Sequence, residues 1–442
     1  MNKEEIEAIG PALTEFLQPF ERFFNDGPNV RHFRNYSRGL LSDLERKTAE
    51  PMAIFAGTPP RTLQYFLRSC VWDHEGLTNA LQRALCCRVE GFPADPVGTV
   101  CILDETSALK KGKRTPGVQR QYLGCVGKID NGIVTVHLAV VKGRFKGLLD
   151  SELYLPESWR EDRERCREAD IPDEMEYKAK WEIGLDLLER ANSNGWEFDW
   201  LVFDEGYGSK PGFLEKLDCM GQVYVGEVPK SFSCRLEGTG RRKKAEELFL
   251  QGDREKEPAK AYRLKQETGS VSVWEVKTIN VALGKQARAR HRLLLAVNPK
   301  TGEQKYFLTN AGKEVSVGRI LRAAFKRWHV EHVFRVAKGE VGLTHFEGRS
   351  YVSLKRHMTL CLVVMAFLVL HTMKLREKKP WITHEQVCRV LKHLSRSYLR
   401  RRRGTDEMTC LQNVLNYHQY RNATAARSRS KRRGKRKSFT AL

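Results

Sequence analysis

The chain of 442 residues carries 77 Lys and Arg against 54 Asp and Glu, a formal charge of +23, with 41% hydrophobic and 30% charged residues. That is too apolar for a disordered chain and too polar for a membrane protein, and the length predicts two or three domains with a core of ample size. So large an excess of cations predicts a polyanion partner, nucleic acid before an anionic membrane surface.

Residues 1–96 are close to neutral, with eleven Lys and Arg against thirteen Asp and Glu. Apolar residues recur at three- and four-residue spacing through IEAIGPALTEFLQPFERFF, FRNYSRGLLSDLERKTAEPMAIFAG, RTLQYFLRSC and LTNALQRALCCRV, and GTPP before Arg61 supplies a helix start. A helical domain is expected here. Its Arg31, Arg34, Arg38, Arg61 and Arg68 suit either a helix-turn-helix resting on phosphates or a plain solvated face.

After GFPADP the period changes. VGTVCILDE is a short strand ending in acids, followed by the basic loop LKKGKRTPGVQ, a strand QYLGCVG, a turn at Asp130-Asn131-Gly132, and a strand IVTVHLAVV. A helix near Ala179 to Asn194 leads to a second strand ending in acids, WLVFDEGYG, and then to QVYVGEV. This order predicts an α/β fold, a mixed sheet flanked by helices, over residues 97–228.

Residues 229–312 read as a β-rich insertion of positive balance, with the strands SVSVWEVKTINVAL, HRLLLAV and KYFLTN. The helical period returns in VGRILRAAFKRWHVEHVFRVAKG, and residues 313–378 close the core with a helix apolar on all sides. Its apolar run, roughly Met358 to Leu370, falls short of the about 18 residues of a membrane span and reads as a buried helix. Residues 379–442 form a basic C-terminal region with the run Arg400–Arg403. Eight basic residues between Arg427 and Lys437 predict a tail disordered until it meets a polyanion.

Of the eleven cysteines only Cys86 and Cys87 are adjacent, and no C-x-x-C pair exists, which excludes zinc-ribbon and thioredoxin-like sites. With no apolar signal segment after MNKEEIEAIG, a reducing, cytoplasmic setting is expected.

Three acids stand where chemistry would use them: Asp104 at the end of the first sheet strand, Asp204 at the end of the strand after the helix, and Glu331 on a basic helix. Strand ends are where ligands bind in such sheets, so Asp104 and Asp204 are expected side by side, with the Glu331 helix packed across them. Three converging carboxylates need a hard cation, Mg²⁺ or Mn²⁺, and two such ions about 4 Å apart would align a nucleophile with a phosphodiester. Taken singly each acid has an ordinary role, as a capping Asp or as a Glu331 paired with Arg335. Arg327 and Lys338 share roughly one helical face with Glu331 and would hold neighbouring phosphates.

These residues resemble the DDE transposases of bacterial insertion sequences, in the insertion-sequence-four superfamily. Its last acidic motif reads Tyr, two residues, Arg, three residues, Glu, six residues, Lys; Arg327, Glu331 and Lys338 fit it, with Ala324 at the Tyr position and Phe325 beside it. LDETSALKKGK is similar to the family's first-Asp motif, LVFDEGYG to its second, and FEGRSYVSLKRHMTLCLVVMAFL to its C-terminal helix. Spanning about residues 20 to 375, the resemblance implies an RNase H-like core broken by a β-rich insertion, with Asp104, Asp204 and Glu331 as catalytic metal ligands. It also implies a transposase, a homodimer on DNA, that binds terminal inverted repeats, cuts the DNA ends with two metal ions, and joins the 3′-hydroxyls to target DNA.

Some relatives hold a flipped base on an aromatic of the insertion; Trp274 is the candidate for that role, though a lone Trp in a strand is more often a core residue. Lys110, Lys111, Lys113 and Arg114 are expected to line the cleft entrance, with Arg349 and the Lys355, Arg356, His357 cluster doing the same beside the buried helix. Glu105 and Glu205 point the other way along their strands. Rival readings are a DNA-binding protein with a decayed core, acting as a repressor, and an RNase H-like nuclease that hydrolyses without joining.

Overall fold

The computed structural model describes residues 1–93, 95–236, 241–250, 258–265, 271–283, 290–403 and scattered positions from 412 to 430. The side chains of Arg400–Arg403 and nearly all of the basic tail therefore lie outside the described residues.

Five helices open the chain: α1 (Lys3–Leu17), α2 (Gly27–Leu40), α3 (Ala49–Phe55), α4 (Thr62–Arg68) and α5 (His74–Glu90). Their starts are set by side chains that accept orphan N–H groups. Asn2 and Glu5 form a capping box on α1, Asp26 caps α2 and Asp73 caps α5. Phe24, Phe33, Phe66 and Trp72 stack between them with centroids 4.6–5.8 Å apart.

The sheet follows with β1 (Val100–Leu109), β2 (Gln119–Leu123), β3 (Lys128–Lys142) and β4 (Phe145–Leu153). Next come α6 (Glu157–Arg160), α7 (Arg163–Glu168), α8 (Lys180–Ser193), β5 (Trp200–Phe203), α9 (Glu205–Gly208), α10 (Pro211–Cys219) and β6 (Tyr224–Val228). The stretch after Pro229 adds β7 (Ser233–Leu236), β8 (Arg242–Lys244), α11 (Ala245–Phe249), β9 (Lys260–Lys265), β10 (Val271–Ala282), β11 (His291–Val297) and β12 (Gln304–Thr309).

All twelve strands share one mixed sheet in the order β2-β3-β1-β5-β6-β12-β11-β10-β7-β8, with β4 also on β3 and β9 on β10. Among the described residues only β1–β5 and β5–β6 are parallel. The β-rich stretch continues the central sheet, because β12 pairs antiparallel with β6.

Three local expectations are corrected. Asp104 does not end its strand: β1 runs on to Leu109, because β3 pairs with it along its whole length. The hairpin turn lies at Gly124–Gly127, where Gly127 has φ +64, and Asn131 and Gly132 lie inside β3. Gly132 is needed there for closeness, since a Cβ would stand 2.5 Å from the Ala108 carbonyl oxygen. The basic helical stretch is broken into α12 (Val317–Phe325), a 3₁₀ turn at Lys326–Trp328, α13 (His329–Val336) and a π-helical turn at Ala337–Val341.

The two faces of the central strands are covered by different helices. Gly184 of α8 abuts Leu103, and Phe334 of α13 meets His137, the cross-strand partner of Asp104. The chain then forms α14 (Tyr351–Lys378), buried through most of its length, and α15 (His384–Arg403). At 28 residues α14 is long and apolar enough to cross a membrane, but here it is largely sheathed by protein, including α5, α15 and β4.

Candidate active site

The parallel ladder between β1 and β5 ends at Leu103 opposite Phe203, so Asp104 and Asp204 each follow the last paired residue of adjacent strands. A strand spacing of about 4.8 Å holds their backbones side by side. Asp204 turns the chain into α9, its Oδ1 accepting from the N–H groups of Gly206 at 2.9 Å and Tyr207 at 3.4 Å. The capping role suggested for such an Asp is therefore real.

Asp104 is 9% exposed; its Oδ1 accepts from the Glu105 N–H at 2.7 Å and its Oδ2 from Arg327 Nη1 at 3.0 Å. Burial pushes its carboxyl up to about 6, with the Arg327 guanidinium opposing and Asp204 adding to the rise.

Arg327 lies on the 3₁₀ turn before α13 and Lys338 in the π-helical turn after it. Lys338 is half-buried, its Nζ 5.5 Å from the centre of the Phe334 ring. Burial lowers its pKa, and the neighbouring Cys125 and Asp104 partly restore it. Both cations thus stand by Asp104, although the changes of helical pitch mean that no single α-helical face carries them. Glu331 lies in the first turn of α13, exposed, while Val330, Val333 and Phe334 face inward. Its suggested partner Arg335 pairs instead with Glu385 at 3.1 Å. Among the described residues no three acidic, His or Cys side chains are gathered closely enough to hold a metal ion.

Two residues missed in the sequence complete the surroundings. The Tyr207 hydroxyl is buried without a hydrogen-bond partner; burial raises its pKa most, then Glu105, Asp104 and Asp204. Its place three residues after Asp204 was a readable signal. His137 is fully buried opposite Asp104, with Nε2 2.7 Å from Thr135 Oγ1 and Nδ1 unpartnered. Only the strand register reveals it.

The donor chemistry fits a hard divalent cation. Asp104 and Asp204 offer carboxylate oxygens, and the orphaned Tyr207 hydroxyl lies beside them. Glu331 stands on the adjoining helix, exposed and not gathered with the two aspartates, and Arg327 supplies the positive charge that Asp104 now holds.

The other expected DNA contacts divide. Lys111, Lys113 and Arg114 are exposed, Arg114 standing 3.9 Å from Glu168, and Arg349 lines a cavity of about 750 Å³ with Arg61 and Arg68. Lys110 is corrected: its Nζ donates to the Thr344 and Phe346 carbonyls, and burial brings it down to about 8.

Lys355, Arg356 and His357 are corrected too, because α14 is buried on that side. Lys355 pairs with Glu152, Arg356 donates to the carbonyls of Leu67, Cys70 and Trp72, and His357 bonds the Tyr36 hydroxyl at 2.8 Å. Trp274 is 3% exposed and packs on Phe325 at 5.0 Å, which leaves no ring face for a flipped base. Glu105 turns to Lys180 at 2.8 Å, and Glu205 is exposed.

Comparison with known proteins places this geometry. The family described as DDE superfamily endonuclease matches residues 20–291. A probable transposase for insertion sequence element IS701 from Microchaete diplosiphon is 33% identical over 218 residues, 48% of this chain and 52% of that protein. The chain thus spans about half the length of that curated relative. A solved piggyBac transposase synaptic complex with hairpin DNA aligns with 89% of this chain and 76% of its own at TM-score 0.48 and 9% identity, too weak a likeness to fix anything further. Since the family match extends over well more than half of the sequence and includes both adjacent aspartates, the chain belongs to the DDE superfamily endonucleases, a family to which its likeness to an insertion-sequence transposase also points.

Proposed function

We propose that this protein is a DNA transposase that binds the terminal inverted repeats of its element as a homodimer, cleaves the DNA ends and joins their 3′-hydroxyls to target DNA. The observation that carries the reading is the in-register pairing that sets Asp104 beside Asp204, with Arg327 bonded to Asp104. The strand order β4-β3-β1-β5-β6, antiparallel and then parallel, supports an RNase H-like core, with residues 1–96 as a DNA-binding unit and residues 229–312 as an insertion.

Asp104, Asp204 and, from α13, Glu331 would hold Mg²⁺ or Mn²⁺, two ions in the full reaction. When bound, such ions activate an oxygen nucleophile and stabilise the leaving oxygen of a phosphodiester. The chain's own part is positional. The β1–β5 ladder sets two carboxylates side by side, Glu331 on α13 would have to swing in as the third, and Arg327 and Lys338 beside Asp104 would grip phosphates near the scissile bond. Arg327, which bonds Asp104 here, would be released to contact a DNA phosphate if a cation took over the charge of that carboxylate.

In this reading Asp104→Ala, Asp204→Ala and Glu331→Ala each abolish Mg²⁺-dependent end cleavage while leaving binding to the terminal repeats intact. Retained cleavage in any one of them removes that residue from the site. A strand-transfer assay separates joining from simple hydrolysis.

A further inference from the structure

Exposed large apolar side chains gather on the β2–β3 hairpin: Tyr122 is 63% exposed, Ile129 61% and Val126, in the turn, 36%. Tyr122 lies directly opposite Ile129 across the ladder, and the exposed Arg120, two residues before Tyr122, shares their face. Such a patch on a narrow two-stranded ribbon marks an interaction surface.

Its placement relative to the acids follows from register. Stepping by twos along β3 from His137, the partner of Asp104, through Thr135, Ile133 and Asn131 leads to Ile129, so the patch lies on the Asp104 face of the sheet. Eight residues at about 3.3 Å each set it roughly 26 Å from Asp104.

The surroundings are cationic. Lys128 flanks Ile129, with Asp130 3.5 Å from its Nζ, and Lys111 and Lys113 are exposed on the neighbouring loop. The Asn131 amide donates to the carbonyls of Lys110 and Gly112, so loop and ribbon form one unit.

We propose that the β2–β3 hairpin is a second DNA-contacting element, lying in a groove of the duplex about 26 Å from the cleavage site. Tyr122 and Ile129 pack on sugars or wedge at a base step, and Arg120, Lys111 and Lys113 rest on the flanking phosphates. A two-stranded ribbon fits the major groove, and apolar wedges framed by cations are a recurrent way of holding a deformed duplex. A second copy of this chain suits the patch less well, because two cation-framed hairpins would repel. The inference rests on the transposase reading for its partner.

The test uses the full chain and a fluorescein-labelled linear duplex. The double variant Tyr122→Ser, Ile129→Ser is expected to melt like the parent and bind about tenfold more weakly, as expected for the loss of one aromatic contact. Lys111→Ala with Arg120→Ala lowers the salt slope of binding by about 2. A benzoylphenylalanine photocrosslinker at position 122 labels the DNA strand. Unchanged affinity of the serine variant, or crosslinking to a second protein chain in place of DNA, overturns the hairpin proposal alone. If the parent itself binds no duplex, the transposase reading falls as well.

Discussion

Arg356 shows how a cation's role is decided by what surrounds it. Its guanidinium donates to three backbone carbonyls between α4 and α5, and lies 4.6 Å from the centre of the Trp72 ring. Removing it strands those acceptors in a buried setting, a cost of about 2–4 kcal/mol. Arg356→Ala is therefore expected to shift the urea midpoint strongly downward while leaving the salt slope of DNA binding untouched; a reduced slope would return this residue to the DNA surface. In sequence, Lys355, Arg356 and His357 look like a basic cluster beside a helix. Nothing in residue type distinguishes a phosphate ligand from a buried tie, because the difference lies in which carbonyls the fold leaves unpaired. The adjacency of Asp104 and Asp204 was more legible, since each follows a short apolar run, whereas the spacing of Glu331 from Arg327 and Lys338 said nothing of its exposed position on α13, away from the pair.

At the level of elements, the helix near Ala179, the strands at Trp200 and Tyr224, and β10, β11 and β12 of the β-rich stretch follow from period and β-branched content, while β7, β8 and β9, which lack β-branched residues, do not. Nor do lengths and breaks. β1 outruns its acids because β3 pairs along its whole length, and the 3₁₀ and π turns around α13 interrupt a pattern that reads as one continuous helix.

The turn that presents Asp204 depends on an equally silent constraint. Gly208 ends α9 against β6, where an added Cβ would stand 2.0 Å from the Glu227 carbonyl oxygen, a backbone atom with no room to yield. Gly208→Ala must push α9 away from β6 and with it the two N–H groups that Asp204 caps. We expect a loss of about 2 kcal/mol or more in thermal stability, together with loss of end cleavage even when folding is restored at low temperature. Normal melting in that variant would show that α9 can shift without cost.

Across the whole molecule, the segments are joined at buried imidazoles. His357 of α14 meets Tyr36 of α2, His384 of α15 lies 3.1 Å from Thr372 of α14, and His137 of β3 lies under Phe334 of α13. Burial is the main cause that draws their pKa values down, to about 4 for His357 and His384 and about 3 for His137. Each is therefore neutral in the fold well below the pH at which an unfolded His, near 6.5, takes up its proton. Since the unfolded chain binds more protons in that window, stability is complete above about pH 6.5 and is lost as pH falls toward 4.

At pH 5 the cost is about 2 kcal/mol for each of the three, a large share of the 5–15 kcal/mol that holds a typical domain together. The net charge of +23 acts in the same direction, because further protonation adds to self-repulsion. Urea midpoints measured without metal or DNA should fall steeply between pH 7 and pH 5, and His357→Gln should flatten that slope if the folded variant keeps its contact with Tyr36. A midpoint constant over this range would mean that the three imidazoles open to water at little cost, and that the joints between segments are looser than the buried contacts imply.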